Sequence, residues 1–119
     1  MVPELIPALG PTDKETLLAR LELVDGLVDW IQLDILDNTL YPNTCWADPT
    51  VIETWPIQSN LELHLMVSGP GSLIEAWKDV TNFQRAIWHI EAPIDHHALI
   101  RHAKAQGLQV GLAIAPSTS

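Results

Sequence analysis

The sequence is poor in basic residues and in cysteine, and both shortages limit what the protein can do. Six Lys and Arg stand against fifteen Asp and Glu, which gives a formal net charge of −9 at pH 7. No two basic residues are adjacent, so the clustered positive charge that binds nucleic acid or an anionic membrane is missing. Cys45 is the single cysteine, which excludes an internal disulfide and a structural zinc site built from cysteines.

Long hydrophobic runs are also missing. No stretch reaches the ~18 apolar residues of a membrane-spanning helix, and the amino terminus has no basic start followed by an apolar segment. We therefore expect a soluble, cytoplasmic protein with no membrane or nucleic-acid partner. The 119 residues predict one domain, residues 1–119, which is shorter than the ~200 residues of a complete eight-fold α/β barrel.

What the sequence does contain is an alternation of short apolar runs with helical patterns. The apolar runs predict five strands, at residues 5–9, 30–36, 61–67, 87–90 and 110–115. Strand and helix repeat at a spacing close to the ~30 residues of one βαβ unit. The predicted class is therefore α/β, with parallel strands that are apolar on both faces.

Four helices are predicted between these strands. The first has the capping-box residues Thr12 and Glu15 at its start, and the last begins after Asp95 and ends at Gly107. The other two lie at about residues 48–54 and 72–80.

Polar side chains recur at alternate positions near the carboxyl ends of the strands, where α/β folds place their sites. The period of two puts Gln32 with Asp34 on one face of the second strand and His64 with Met66 on one face of the third. His89 is similarly placed in the fourth. If these faces point the same way, one carboxylate and two imidazoles converge, a set suited to a divalent metal such as zinc. A hydrogen-bonded core histidine is the competing interpretation.

The chemistry that such a set could perform is proton removal beside a carbonyl. A metal would polarise the carbonyl while the Asp34 carboxylate takes the proton from the adjacent carbon. Asp34 is hard to explain as a packing residue, because an unpaired buried carboxylate costs several kcal/mol.

Several segments form an ordered series at the ends of the predicted strands. They are IQLDILDN at 31–38 with YPN at 41–43, LELHLMV at 61–67, IWHIEA at 87–92 and GLAIAPST at 111–118. In order and spacing they resemble the strand motifs of the ribulose-phosphate 3-epimerase family, over its first five strands. The resemblance implies half of a (β/α)8 barrel of the TIM type and a divalent metal (zinc, manganese or iron). It also implies interconversion of ribulose 5-phosphate and xylulose 5-phosphate through an enediolate.

The resemblance also implies roles for individual residues. Asp34 corresponds to the aspartate that is both metal ligand and acid/base, His64 to a histidine ligand, and Met66 to a methionine that lines the substrate. Asp37 and Pro116, just after the second and fifth strands, are expected beside the substrate.

The sequence departs from the family pattern at three positions that matter for the site. Gln32 stands where the family has a metal-binding histidine, Ala8 where it has a serine near the substrate, and Asn38 where it has a glycine. Because an amide oxygen is a poor zinc ligand, Gln32 predicts weak or absent metal binding, or a different ion. The motifs end before the strands that bring the family's second catalytic aspartate and its phosphate-binding amides.

Five parallel strands with flanking helices leave two open sheet edges and one uncovered apolar face. We expect a homodimer to cover them and to bring two copies of Asp34 together. Two hypotheses stay open: a metal-dependent epimerase of a pentulose 5-phosphate, and a catalytically silent half-barrel that dimerises and at most binds a sugar phosphate.

The other histidines and aromatic residues receive simpler interpretations. His96, His97 and His102 are expected on the solvated face of the last helix. Tyr41 and Trp46, in the loop after the second strand, are the aromatic residues best placed to cover a pocket.

Overall fold

A computed structural model describes residues 3–10 and 13–118. Within them, strands and helices alternate in the order β1 (Ala8–Leu9), α1 (Lys14–Val24), β2 (Trp30–Leu36), α2 (Pro49–Ile52), β3 (Asn60–Met66), α3 (Pro70–Trp77), β4 (Phe83–His89), α4 (His96–Ala105) and β5 (Gln109–Ala113). The strands are all parallel and lie in chain order, β1-β2-β3-β4-β5. The predicted α/β class is confirmed, and the described residues form about half of a TIM-type barrel whose sheet is not closed.

Short acidic side chains cap the starts of α1 and α4. Asp13 accepts a hydrogen bond from the amide of Thr16 at 2.7 Å and is the N-cap of α1. The predicted cap, Thr12, lies outside the described residues. Asp95 accepts from the amide of Ala98 at 3.1 Å, which confirms it as the N-cap of α4.

Two predicted strand boundaries were wrong. β1 covers only Ala8–Leu9, the two residues that pair with β2. Pro7, just before them, has no N–H to donate to a neighbouring strand. β4 begins at Phe83, four residues before the predicted start. Arg85 hid this start, because a charged residue interrupts the apolar pattern that identifies a strand. The other bounds differ from prediction by no more than three residues.

The two faces of the sheet differ in polarity. The apolar residues of β2 and β3 that sequence reasoning assigned to both faces all point to the helices and are buried: Ile31, Leu33, Ile35, Leu61, Leu63 and Leu65. On the opposite face of β2, Trp30, Gln32, Asp34 and Leu36 are only half-buried. The prediction of an uncovered apolar face was therefore wrong. We call this second side the open face.

The helices cover the apolar face with large side chains. Leu17 and Leu21 of α1, Ile74 and Trp77 of α3, and Ala103 of α4 are at most 2% exposed. Each fully buried aliphatic side chain stabilises the fold by ~1.5–3 kcal/mol. None of the helices in the described part of the chain is long and apolar enough to span a bilayer.

Candidate active site

The candidate site lies on the open face, at the carboxyl ends of β2, β3 and β4. Asp34 is the register partner of His64, and His89 lies near the end of the next strand. Because alternate residues of parallel strands share a face, the three side chains meet side by side. Sequence reasoning expected one carboxylate and two imidazoles to converge, and the structure confirms that they do.

A continuous row of hydrogen bonds joins these side chains. His64 Nδ1 is 3.1 Å from Asp34 Oδ1, and His64 Nε2 is 2.8 Å from His89 Nε2. His89 Nδ1 is 3.3 Å from Glu91 Oε1, and the His89 side chain is only 9% exposed. We call Asp34, His64, His89 and Glu91 the Asp34 row.

The two carboxylates set the direction of the outer hydrogen bonds of the Asp34 row. Ionised carboxylates only accept hydrogen bonds, so the Nδ1 atom of each histidine donates to the carboxylate beside it. The central contact joins the Nε2 atoms of the two rings. The row therefore places two imidazole rings between two carboxylates.

Asp34 is held at one oxygen only. Its Oδ1 accepts from His64 and, at 3.0 Å, from Gln32 Nε2. The hydrogen bond from His64, opposed by burial and aided by Gln32, holds the pKa of this carboxyl below its usual value. Asp34 is therefore ionised at neutral pH. Its Oδ2 has no hydrogen bond within the described residues and is free to take a proton.

Tyr41 reaches the other end of the Asp34 row from the loop after β2. Its hydroxyl donates to Glu91 Oε1 at 3.2 Å and lies 3.2 Å from His89 Nδ1. Burial and the neighbouring Glu91 carboxylate raise the pKa of Tyr41, which keeps it a donor. Its ring meets His89 edge-on, with centroids 5.2 Å apart. Tyr41 thus covers this end of the site, as one of the two aromatic residues proposed for that role.

Glu91 collects donors from three segments. Besides His89 and Tyr41, the amide of Ala115 donates to Glu91 Oε1 at 2.7 Å. Burial alone would raise the pKa of Glu91, but these hydrogen bonds lower it overall. Glu91 Oε2 is buried without a hydrogen-bond partner among the described residues. Glu91 therefore ties the ends of β4 and β5 to the loop after β2.

The loop after β2 is folded by its own side chains. Asp37 Oδ1 accepts from both the amide and the hydroxyl of Thr39, and the amide of Ser68 donates to Thr39 Oγ1 at 2.9 Å. Asn38 has a φ of +64°, a left-handed conformation that explains the family's glycine at this position. Burial raises the pKa of the Cys45 thiol, so this cysteine is not an activated nucleophile.

The other predicted substrate residues are spread along the same edge. Ala8 is the register partner of Gln32, and Met66 ends β3 opposite Leu36. Asp37 is exposed, and its Oδ1 is used within its own loop. Pro116 is exposed beyond β5. Their contact with a substrate stays a prediction.

A second polar cluster, which sequence reasoning missed, lies on the open face near the amino ends of the strands. Arg85 donates to Glu62 at 2.7 Å and to Gln109 at 2.7 Å, and its guanidinium carbon lies 3.9 Å above the Trp30 ring. The signal for it was Glu62, a carboxylate in a buried strand that needs a cation. We call Arg85, Glu62, Gln109 and Trp30 the Arg85 cluster.

One histidine prediction needs correction. His97 and His102 are exposed as expected, but His96 is half-buried. Its Nδ1 accepts from Trp88 Nε1 at 3.1 Å, and its Nε2 lies 3.1 Å from the carbonyl oxygens of Ile90 and Ala92. His96 is a packing residue because the buried indole of Trp88 needs an acceptor.

The predicted metal ligands do not fit a resident divalent metal as they are arranged. No group of three or more His, Cys, Asp or Glu side chains in residues 3–10 and 13–118 is placed to hold a metal ion. Gln32 presents its NH2 group to Asp34, and both ring nitrogens of His64 are hydrogen-bonded. The metal dependence implied by the resemblance therefore has no support in the geometry of these three side chains.

Together, the fold and the Asp34 row define a parallel β/α protein with a cluster of ionisable side chains at the carboxyl ends of its strands. Residues 4–119 match the model of the ribulose-phosphate 3 epimerase family, and the chain belongs to that family.

Curated relatives agree with this assignment. The chain is 36% identical over 121 residues to a ribulose-phosphate 3-epimerase of Treponema pallidum (strain Nichols), covering 96% of this chain and 53% of that protein. It is 34% identical over 93 residues to one of Chlamydia pneumoniae, covering 76% and 40%. A cytoplasmic isoform of rice (Oryza sativa subsp. japonica) is 28% identical over 120 residues, covering 97% and 51%. The chain thus spans about half the length of these relatives, or less.

Proposed function

We propose that this chain carries one acid/base half of an epimerase that acts on a pentulose 5-phosphate, with Asp34 as the group that moves the proton. The observation that carries the proposal is the state of Asp34. It is ionised, held at Oδ1 by two donors, and free at Oδ2, at the sheet edge where barrel enzymes place their chemistry.

The chemistry of the substrate fits this carboxylate. The carbon-bound hydrogen beside the C2 carbonyl of a pentulose is acidic, because its removal gives an enediolate. Asp34 takes this proton on one face of the sugar, and the negative charge moves to the carbonyl oxygen. The histidines of the Asp34 row are the nearby hydrogen-bond donors, and because their ring nitrogens are bonded within the row, donation to that oxygen would replace one of these bonds.

Epimerisation also needs a proton donor on the opposite face. In the proposed scheme this donor is a second carboxylate, supplied by Asp34 of a second copy of the chain. The β5 side of the sheet supports self-association, because Leu112 is 48% and Ile114 57% exposed there. Leu112 is the register partner of the buried Trp88, so it belongs to the apolar face.

Proton exchange tests the role of Asp34 without requiring the second carboxylate. Ribulose 5-phosphate is incubated with the protein in D2O, and loss of the C3 proton signal is followed by NMR. We expect exchange by the wild-type protein and at least a ~100-fold slower rate for Asp34→Asn, which cannot take the proton.

Asp29→Asn is the matched control. It makes the same chemical change at an exposed aspartate just before β2, at the other end of the strand from Asp34. Its exchange rate should equal that of the wild type. Absence of exchange in the wild-type protein would contradict the proposal and support the alternative of a catalytically silent half-barrel.

Self-association has its own test. Sedimentation equilibrium of the wild-type chain should give twice the monomer mass, and Leu112→Glu should shift the species toward the monomer. A folded wild-type monomer at micromolar concentration would contradict the dimer. We also propose a cytoplasmic location, which is supported by the name of the rice relative.

A further inference from the structure

We propose that Gln32 is a positioning residue whose amide, together with His64, clamps Oδ1 of Asp34 in place of a bound divalent metal. The inference rests on the proposed function only where it names Asp34 as the acid/base. Its statement about metal binding stands on the geometry of three side chains and does not depend on turnover.

The Gln32 amide presents its nitrogen to Asp34. An ionised carboxylate cannot donate a hydrogen bond, so the amide atom 3.0 Å from Asp34 Oδ1 is the NH2 nitrogen. A metal ligand would have to present the amide oxygen at the same place, because an amide binds cations through its oxygen. Gln32 thus donates to the carboxylate through Nε2, and its amide oxygen is not the atom that faces Asp34 Oδ1.

His64 uses both of its ring nitrogens in hydrogen bonds. Its Nδ1 is engaged by Asp34 and its Nε2 by His89, so neither nitrogen offers a free lone pair beside Asp34. Asp37, the next carboxylate along the chain, has its Oδ1 taken by Thr39. Zinc requires at least three protein ligands with convergent lone pairs, and these residues do not provide them.

The hydrogen bonds from Gln32 and His64 orient the Asp34 carboxylate. Two donors on one oxygen hold the carboxylate in a fixed orientation. Hydrogen-bond partners orient the ligands of a metal site in the same way. Asp34 Oδ2 stays without a hydrogen bond in the described part of the chain. The clamp therefore orients a base while leaving its reactive oxygen accessible, with the Asp34 side chain 28% exposed.

Metal titration tests the inference. The untagged protein is treated with a chelator, and Zn²⁺ and Mn²⁺ are titrated by calorimetry while Co²⁺ is followed by its visible absorption. All variants carry His97→Ala and His102→Ala, because these exposed imidazoles bind metals weakly on their own. Urea unfolding midpoints confirm that each variant is folded.

Three proteins are compared. The first carries only His97→Ala and His102→Ala and is called the background. The other two add Gln32→His or Gln32→Ala to it. We expect no stoichiometric binding by the background or by Gln32→Ala. Gln32→His removes the amide donor from Asp34 and adds an imidazole lone pair beside it, so that zinc can displace the hydrogen bonds of Asp34 and His64. This variant should bind one equivalent of Zn²⁺ at least ~10-fold more tightly than the background. If this variant does not fold, Gln32→Glu replaces it with the same expectation, because it adds a carboxylate ligand.

Two results would overturn the inference. One is binding of one equivalent of metal by the background protein that is abolished by Asp34→Asn. The other is equal metal affinity of the background and of a folded Gln32→His or Gln32→Glu variant. Neither result bears on C3 proton exchange, which is measured separately in the presence of the chelator. Failure of the clamp and failure of the proposed function can thus be told apart.

Discussion

The open face carries two polar groups that differ in how their charges are balanced. In the Arg85 cluster, the carboxylate of Glu62 is only 5% exposed and meets a permanent cation at 2.7 Å. In the Asp34 row, carboxylates meet the ring nitrogens of two histidines, and Asp34 Oδ2 and Glu91 Oε2 have no donors within the described residues. A buried carboxylate paired with a permanent cation indicates a structural role, whereas the Asp34 row has carboxylate oxygens that can still accept a hydrogen bond or a proton.

The largest effect should come from breaking the Arg85 cluster. Arg85→Met leaves Glu62 buried without a cation and should lower the free energy of unfolding by about 3 kcal/mol, measured by urea denaturation. Replacing both charges, with Arg85→Met and Glu62→Leu, should restore most of that loss. If the double variant is as unstable as the single one, the ion pair is not what stabilises this end of the sheet.

A smaller effect is expected in the loop that leads to Tyr41. Asn38 has a positive φ, and its side chain accepts from the amide of Asn43 at 3.1 Å. Asn38→Ala and Asn38→Gly both lose this bond, but only alanine is strained at a positive φ, so Asn38→Ala should be less stable than Asn38→Gly by about 1 kcal/mol in urea denaturation. Equal stability of the two variants would mean that the left-handed conformation is not maintained.

Tyr41→Phe should have an effect of similar size or less. It removes the hydroxyl between His89 and Glu91, so the free energy of unfolding should fall by about 0.5–1 kcal/mol. The double variant Tyr41→Phe/Glu91→Gln tests the contact. If the two side chains interact, the change in the free energy of unfolding differs from the sum of the two single changes. Additive losses would show that Tyr41 and Glu91 act independently.

The smallest expected effect is the loss of the stability that Asp34 contributes when the pH is lowered. Its pKa is lower in the folded protein than in the unfolded chain, where it is ~3.9. Its contribution to stability is complete above the unfolded pKa and is lost as the pH falls through the folded pKa.

The free energy of unfolding, measured from pH 7 to pH 2, tests whether this contribution is lost on acidification. Below about pH 4, the wild type should lose somewhat more stability than Asp34→Asn, by less than ~1 kcal/mol because the pair is partly exposed. Parallel acid profiles of the two proteins would show that the hydrogen bond from His64 does not favour the ionised carboxyl.

Sequence reasoning located the Asp34 row because its signal is local. The period of two put Asp34, His64 and His89 on predictable faces, and parallel order made the second, third and fourth strands neighbours. The Arg85 cluster was missed because its members are partners only across strands. The side chains of Glu62 and Arg85 meet after a register shift near the start of β3, which no pattern within either strand records.

The polarity of the open face was misjudged for a similar reason. Apolar residues at alternate positions were read as covering both faces, although a period of two places them on one. His96 was assigned to the surface from its helix position, and only the packing of α4 against β4 shows the indole that it binds.

The amino-acid sequence by itself determined the alternation of strands and helices, their parallel arrangement and the convergence of Asp34 with His64, since these follow from short-range periodicity. The tertiary structure alone decided that the Gln32 amide faces Asp34 as a donor, that Glu91 joins three segments, and that Arg85 neutralises Glu62. Such contacts depend on side-chain direction and strand register. Both are set only when the apolar face is packed and each remaining polar group must find a partner nearby.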